Sequence, residues 1–567
     1  MKKIKSLICL VTFVPTLLMA SGYTDVQAPD WTRDATLTHG SSRADIYQVG
    51  PKRLKELQTK GYIHALKYPI NVTGALIPFE PLEFFMEADH TNPLRKLIRK
   101  ISGKALPFQS MEEMYKWLGL NPFNDENATG IYKIPYPEGE KPDYYMGASI
   151  LDTPQGKAIT FSCATCHSQH MFGKTVMGLT NKRPRANMFF TLAKKTVPLI
   201  PSHVFKAATR ATEDERKMFR KTKYNLFAIG AVEPQVLGLD TSLPQVALSL
   251  SRRKTDELAS KSRFYERFPR KNKLEKFVAD SKPATWWNLK YKTRWLADGS
   301  IVEGNPIFTN FLWNEIGRGT DLVELQDWLE KNMDKVQDLT AAVFATEAPK
   351  WTDFFPADSI DIEKAKRGEA IFNDTCKKCH GTYQKGWSLT QGPGLSAEEQ
   401  IKTVQVLYHE KTPVKNVGTD PQRWQGTHAF ADALNNLKVS KWMKTVVEPQ
   451  EGYVPPPLEG IWARYPYFHN NAVPNLCALF TPPAQRPVTF FQGPANDPET
   501  DFTQECVGYP VGKDIPKEWH KEKDALFDTR KPGLRNTGHY KMWLDEEGNE
   551  KYSWQEKMAV IEYLKTL

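Results

Sequence analysis

The sequence predicts a mainly α-helical fold with extensive loops, built as two domains that are each organised around one Cys-x-x-Cys-His motif. Three observations carry this reading. The motif occurs twice, at 163–167 and 376–380; helical periodicity leads into the second copy and returns at the end of the chain; and the stretch between is rich in proline. At 567 residues the chain also exceeds what one hydrophobic core usually serves.

Taken in order, the chain opens on Lys2, Lys3 and Lys5, an apolar stretch from Leu7 to Met19, and small residues at Ala20, Ser21 and Gly22. This reads as a secretory signal peptide over residues 1–20 and implies a periplasmic or secreted protein. The apolar run is short for a bilayer span and is broken by Pro15, so a retained anchor is the poorer alternative. No later segment is long or apolar enough to span. Removing the leader's three lysines lowers the formal charge from +10 to +7, which is mildly basic. Acidic and basic residues alternate, as at Asp256–Glu257 and Arg263–Phe264–Tyr265–Glu266–Arg267, so nucleic acid is not an expected partner.

Cysteine usage is the most informative part of the composition. Of 7 cysteines, Cys9 falls in the leader and four form the two motifs, leaving Cys477 and Cys506. In an oxidising compartment these two are expected to form a disulfide, with a pair of buried free thiols as the alternative. Covalent haem attachment needs two thiols to add to the two porphyrin vinyl groups and a histidine directly after the second thiol to reach the iron. Cys163, Cys166 and His167 satisfy that pattern, as do Cys376, Cys379 and His380. A redox dithiol or half a zinc site would explain a bare Cys-x-x-Cys, but two copies each followed by histidine favour two covalently bound haem c groups, each with iron.

The second motif has a helical lead-in. Ala365, Gly368, Ile371 and Phe372 recur at helical spacing after a possible cap at Asp361, and Gly368 allows a close helix crossing. Ser553 and Glu556 form a capping box, after which Trp554, Met558, Ile561 and Leu564 are expected to line one face of the final helix. Residues 356–567 thus resemble a cytochrome c domain for electron transfer, with a large Pro-rich insertion. The first motif is preceded by Thr153-Pro154-Gln155-Gly156 and followed by Gly173 and Gly178, which predicts a looser, loop-rich site. The division expected is an N-terminal extension over 21–130, an N-terminal haem domain over 131–355 holding the active site, and the C-terminal domain over 356–567.

The ligand opposite each proximal histidine separates electron transfer from chemistry on a small molecule. For the second haem the candidates are His409, His428, His469, His520, His539, Met443 and Met542. His539 stands out because it sits in a Gly-His loop shortly before the last helix. For the first haem no comparable residue follows: His170 is too near its own motif, and Met171 and Met177 read as packing residues.

The segment Leu458–Leu476, with Trp462, Arg464, Pro466, His469 and Asn470 and then Arg486-Pro487, resembles a signature of the bacterial di-haem cytochrome c peroxidase and MauG superfamily. Gly173 to Asn181, Trp286-Trp287-Asn288 and Gly418-Thr419-Asp420-Pro421 resemble its rubber oxygenase branch, over residues about 140 to 567. That resemblance implies an N-terminal haem that binds dioxygen, a C-terminal haem with two histidine ligands including His539, a tryptophan between the haems, and a phenylalanine over the oxygen site. Trp287 or Trp286 and Phe308 or Phe311 are the matching candidates. Asn470-Asn471-Ala472 replaces the more usual Asn-Gly-Ser, and His469 reads as a structural residue bonding that loop. The activity implied is a dioxygenase cleaving double bonds of a hydrophobic polymer, with Leu226, Phe227, Ile229 and Val232 lining a pocket or forming ordinary core. The alternatives are a peroxidase reducing hydrogen peroxide with electrons from a small redox protein, using a distal acid such as Glu233 or Glu315, a MauG-like enzyme, or a plain electron carrier.

Overall fold

The computed structural model describes residues 23–567 except 24–25, 69–71, 73, 88–92, 94–95, 97–98, 101–105, 273, 275–276 and 391. The leader expected at 1–20 lies outside the described residues. Helix α1 (Gly50–Lys67) starts on a proline in its first turn and buries Leu57, Gly61, Tyr62, Ala65 and Leu66 along one face. A three-stranded antiparallel sheet follows, with β1 (Ile77–Pro78) and β2 (Ala148–Thr153) flanking β3 (Gly156–Phe161). The helices of the first half that bear on the site and its surroundings include α2 (Ala186–Thr196), α3 (Glu213–Phe227), α4 (Ser242–Leu250), α5 (Arg263–Arg267), α6 (Pro306–Gly317) and α7 (Met333–Ala345). Two further long helices, α8 (Ile362–Thr375) and α9 (Trp554–Lys565), frame the second half.

The approach to the first motif is more regular than the sequence suggests. Thr153–Gly156 is the turn of a β-hairpin in which the Thr153 hydroxyl donates to the Gly156 carbonyl at 2.7 Å, and β3 ends two residues before Cys163. Proline and glycine there end a helix only in the sense of starting a hairpin. A second hairpin, Ser168–Met171 with Lys174–Met177, follows the motif and turns on Gly173 at φ +84°.

Around the second motif the expected crossing of first and last helices is present. The Asp361 carboxylate accepts from the Lys364 N–H at 2.9 Å, and Ser553 and Glu556 form a reciprocal capping box. Gly368 sits where the two backbones meet: a Cβ at that position would fall 1.9 Å from the Ala559 carbonyl oxygen. Cys477 and Cys506 form a disulfide within the Pro-rich stretch.

Two large apolar cores result. The first gathers Leu57 and Tyr62 from α1, Trp286, Trp295, Trp313, Phe344, and Phe430 to Val447 from far down the chain. The second gathers Trp287, Trp351, Phe372, Trp462, Tyr465, Val560 and Tyr563. The neighbours Trp286 and Trp287 therefore belong to different cores, and the chain crosses from one to the other between them. Among the described residues, no helix is long and apolar enough to cross a membrane.

The α8–α9 crossing yields a test. Gly368→Ala should lower unfolding stability by about 1–3 kcal/mol through overpacking against the Ala559 carbonyl, measured by chemical denaturation.

Candidate functional site

Each motif is a single helical turn that projects its histidine inward. In the first, the His167 N–H donates to the Cys163 carbonyl at 3.0 Å, and the Cys163 N–H is anchored on the Tyr68 carbonyl at 2.8 Å. The His167 Nδ1 lies 2.9 Å from the Ala284 carbonyl oxygen, so it carries the proton and donates it there. The Nε2 lone pair is left free. Burial pushes the imidazole pKa down to about 4 against the opposing pull of Ala284 and Asp240, keeping it neutral at physiological pH. The second motif repeats this. His380 Nδ1 meets the Pro456 carbonyl at 2.8 Å, and burial first, then Arg464 and His409, set its pKa at about 4. A histidine whose second nitrogen is tied to a carbonyl has the arrangement of a metal ligand.

The two motifs differ in what faces the free nitrogen. The ring centroid of His539 lies 6.1 Å from that of His380, with the rings inclined at 61°. Two metal–nitrogen bonds of about 2 Å each, plus the radii of the two rings, account for that separation. His539 holds φ +51° and docks through its N–H on the Val417 carbonyl at 2.9 Å, while Gly538 presses on Gly418 so closely that a Cβ would sit 2.3 Å from the Gly418 carbonyl carbon. Burial, then His380 and Arg486, pushes its pKa down to about 3.

The other candidates stand elsewhere. His409 bonds the Cys379 carbonyl, His428 is exposed, His520 packs on Phe491, Met443 lies in the first core and Met542 against the second. His469 stacks on Tyr453 at 3.7 Å, and its Nε2 has no partner, so its ring stabilises the loop by stacking and not by the hydrogen bond expected of it.

Opposite His167 lies a cavity of about 210 Å³ lined by Cys163, Cys166 and His167, by the apolar Trp286, Leu289, Trp295, Ile307 and Trp313, and by Asp240, Asn310, Lys282 and Arg318. His167 is its one histidine, and no methionine lines it. Trp286 packs beside the His167 ring at 5.5 Å. Trp287 is fully buried in the second core, its indole N–H donating to the Glu459 carbonyl at 2.9 Å. Phe308 packs on Trp442 and Phe311 on Trp328; neither lines the cavity. The α6 aromatic that does is Trp313, five residues before Arg318, which lines the cavity as well, with Asn314 between them. Leu226 and Ile229 are core residues beside a separate apolar pocket, and Phe227 is on the surface. Arg318 itself is buried, bonds the Gln245 side chain and lies 3.8 Å over the Phe190 ring.

These residues fit a haem. Among the described residues no three His, Cys, Asp or Glu side chains cluster as a bare metal ion requires, so an iron held by one or two imidazoles must bring its remaining donors with it. Between the two motifs, Lys282 donates to the carbonyls of Arg464 and Pro466, and Lys182 to those of Ala463 and Tyr465 at 2.9 and 2.6 Å. Arg464 Nε is buried without a partner. No carboxylate pairs with these three cations among the described residues, a costly arrangement unless an anion is supplied. Porphyrin propionates supply one.

Residues 452–491 match the family described as RoxA-like, cytochrome c-like. The chain is also 30% identical over 269 residues to the uncharacterized protein y4iJ of Sinorhizobium fredii, covering 39% of this chain and 41% of that protein. It is 25% identical over 225 residues to the uncharacterized protein y4iM of the same organism, covering 37% of this chain and 50% of that protein. The chain thus spans half or less of the length of these curated relatives. The matched family segment builds both walls of the second site. Pro456 holds His380, while Arg486 bonds the Asn536 carbonyl in the loop that carries His539. Within it, Asn471 adopts φ +60°, where a glycine is the usual choice and asparagine is tolerated, so the Asn470-Asn471-Ala472 variation leaves the loop intact. Residues 452–491 are therefore similar to a RoxA-like, cytochrome c-like domain, a kind of domain that binds haem c covalently.

Proposed function

We propose that this chain is an exported di-haem c-type oxidoreductase of the rubber oxygenase type, within the di-haem peroxidase and MauG superfamily, in which Cys163, Cys166 and His167 hold one haem and Cys376, Cys379, His380 and His539 the other. The observation that carries the reading is the asymmetry between the sites: His380 has an imidazole opposite it, and His167 has an open cavity. An iron with one protein ligand can bind and activate dioxygen, whereas one with two serves electron transfer.

The chain's own part is to shape and dry the first site. Trp286, Trp295, Trp313 and Ile307 present apolar surface suited to an unsaturated hydrocarbon such as a polyisoprenoid, and exclude water from it. Trp286 and Trp287 give a covalently continuous aromatic link from the side of His167 to the core that surrounds His380. The carboxylate of the cavity, Asp240, accepts through Oδ1 from the Asn187 amide at 2.7 Å and from the Ser242 hydroxyl at 2.8 Å. Glu315 instead accepts the Val72 N–H at 2.8 Å, and Glu233 pairs at the surface with Lys195. Neither Glu233 nor Glu315, the two acids expected of a peroxidase, lines the cavity.

Two measurements test this. Reduced protein should bind one carbon monoxide per two haems, and His539→Ala should raise this to two; a wild type that already binds two removes His539 from the iron. Incubation with polyisoprene latex under ¹⁸O₂ should yield chains ending in a labelled aldehyde and a labelled ketone. Inert latex combined with rapid peroxide turnover by a reduced small cytochrome would favour the peroxidase.

A further inference from the structure

Six exposed large apolar side chains share one face of the molecule: Leu199, Ile200, Tyr224, Phe227, Phe264 and Phe268. They come from three adjoining pieces, the Pro198–Pro201 tip after α2, the last turns of α3, and α5. Specific bonds hold these pieces together. Lys223 on α3 donates to the Ile200 carbonyl at 2.9 Å, and Lys261, just before α5, bonds the Asn225 side chain. Arg220 and Arg263 both lie close enough to Tyr224 to hold its phenol below the usual range, the hydrogen bond from Arg220 contributing most. At the tip, Leu199 is 79% exposed between two prolines, and Phe264 on α5 is 64% exposed. Scattered single apolar residues on a surface need no explanation, but a contiguous group does.

The rim of this group is cationic. Lys195, Arg220, Lys254, Arg263, Arg267 and Lys271 are exposed around it, outnumbering the neighbouring acids Glu233, which pairs with Lys195 at 3.5 Å, Asp256, Glu257 and Glu266. Protruding aliphatic and aromatic side chains ringed by arginine and lysine are complementary to an interface that is anionic outside and apolar within. A nucleic acid strand would use the arginines and rings, but a rigid Leu-Ile tip gives a base nothing to stack on.

We propose that this face docks the protein on the surface of an anionic lipid bilayer, with Leu199, Ile200, Phe264 and Phe268 entering the headgroup region and the surrounding arginines and lysines meeting lipid phosphates. The inference rests on surface residues alone and is independent of the haem assignment. It also orients the molecule. Helix α2 runs from the docked tip to Ala186 and Asn187, which line the cavity beside His167, and beneath the tip Ala193, Val197 and Leu226 line a small apolar pocket. An apolar substrate dissolved in the bilayer would meet the protein at the end of the helix whose other end borders the first site.

Sedimentation of the full haem-loaded protein with vesicles tests this at about 0.1 M ionic strength, where steering over distances beyond roughly 10 Å is screened. Vesicles rich in phosphatidylglycerol should carry the protein down and pure phosphatidylcholine vesicles should retain far less. Arg263→Glu with Arg267→Glu should weaken partitioning more than about tenfold, each basic residue near the surface contributing roughly a factor of five. Leu199→Ser with Phe264→Ser should weaken it as well, and an unchanged Soret band would show that both variants keep their haems and fold. Absence of binding to the anionic vesicles, binding indifferent to both variants, or tighter retention by single-stranded DNA than by vesicles would overturn the proposal.

Discussion

The molecule depends on a pair of hydrogen bonds. An imidazole can serve as a ligand only if it is neutral and its lone pair points at the metal, and each proximal histidine meets both conditions by giving its Nδ1 proton to a backbone carbonyl. Those carbonyls are distant in sequence. Ala284 is 117 residues beyond His167 and Pro456 is 76 beyond His380, so neither ligand is oriented until the chain has folded round it. The motif supplies the nitrogen, and the tertiary structure supplies its direction. In the first site the same stretch does two things at once: Ala284 fixes the tautomer, and two residues later Trp286 closes the side of the ring while Trp287 turns into the other core.

The segment 456–466 plays the corresponding part for the second site and also joins the two. Its carbonyls at Ala463 and Tyr465 receive Lys182, those at Arg464 and Pro466 receive Lys282, and Arg464 adds a guanidinium with an unpartnered Nε. Burial pushes the pKa values of both lysines well below normal. Holding all three groups charged with no carboxylate would disfavour the fold, and a dianionic porphyrin edge would favour their charged forms. On the proposed di-haem reading, folding and cofactor loading would be coupled through this cluster as well as through thioether bonds. The stretch matched by the family, 452–491, has little regular secondary structure.

Some of this was legible in the sequence because it was local. The Asp361 cap, the Ser553–Glu556 box and the close approach at Gly368 follow from spacing, and each is present. His539 was distinguishable by its Gly-His setting, since a residue at φ +51° next to a glycine is what a tight delivering loop needs. Features decided by distant contacts were less accessible. Thr153–Gly156 was open to two readings because a glycine turn ends a helix and starts a hairpin with the same residues. Helix α6 carries Phe308, Phe311 and Trp313 on a stretch that is apolar nearly all round, so periodicity could not say which aromatic faces the cavity, and the one that does is Trp313. Nothing in the sequence separates Arg318 from any surface arginine; its burial comes from Gln245 and Phe190.

Charge shows the same limit from the outside. Read along the chain, Arg263–Phe264–Tyr265–Glu266–Arg267 is an alternating stretch of the kind a solvated helix carries, and the net charge is modest. In the fold it lies beside Arg220, Lys223 and the Pro198–Pro201 tip, while Asp214, Glu213 and Glu324, which balance the count, pair with Lys217, Arg216 and Lys221 along the same helix and its neighbour α-helical segment 322–331. Neutrality summed over residues and neutrality at a surface are different quantities, because screening acts over about 10 Å in space and not over positions in sequence. The cationic, apolar face is a product of that sorting, and its placement at one end of the helix that reaches the first cavity connects the surface chemistry to the buried one.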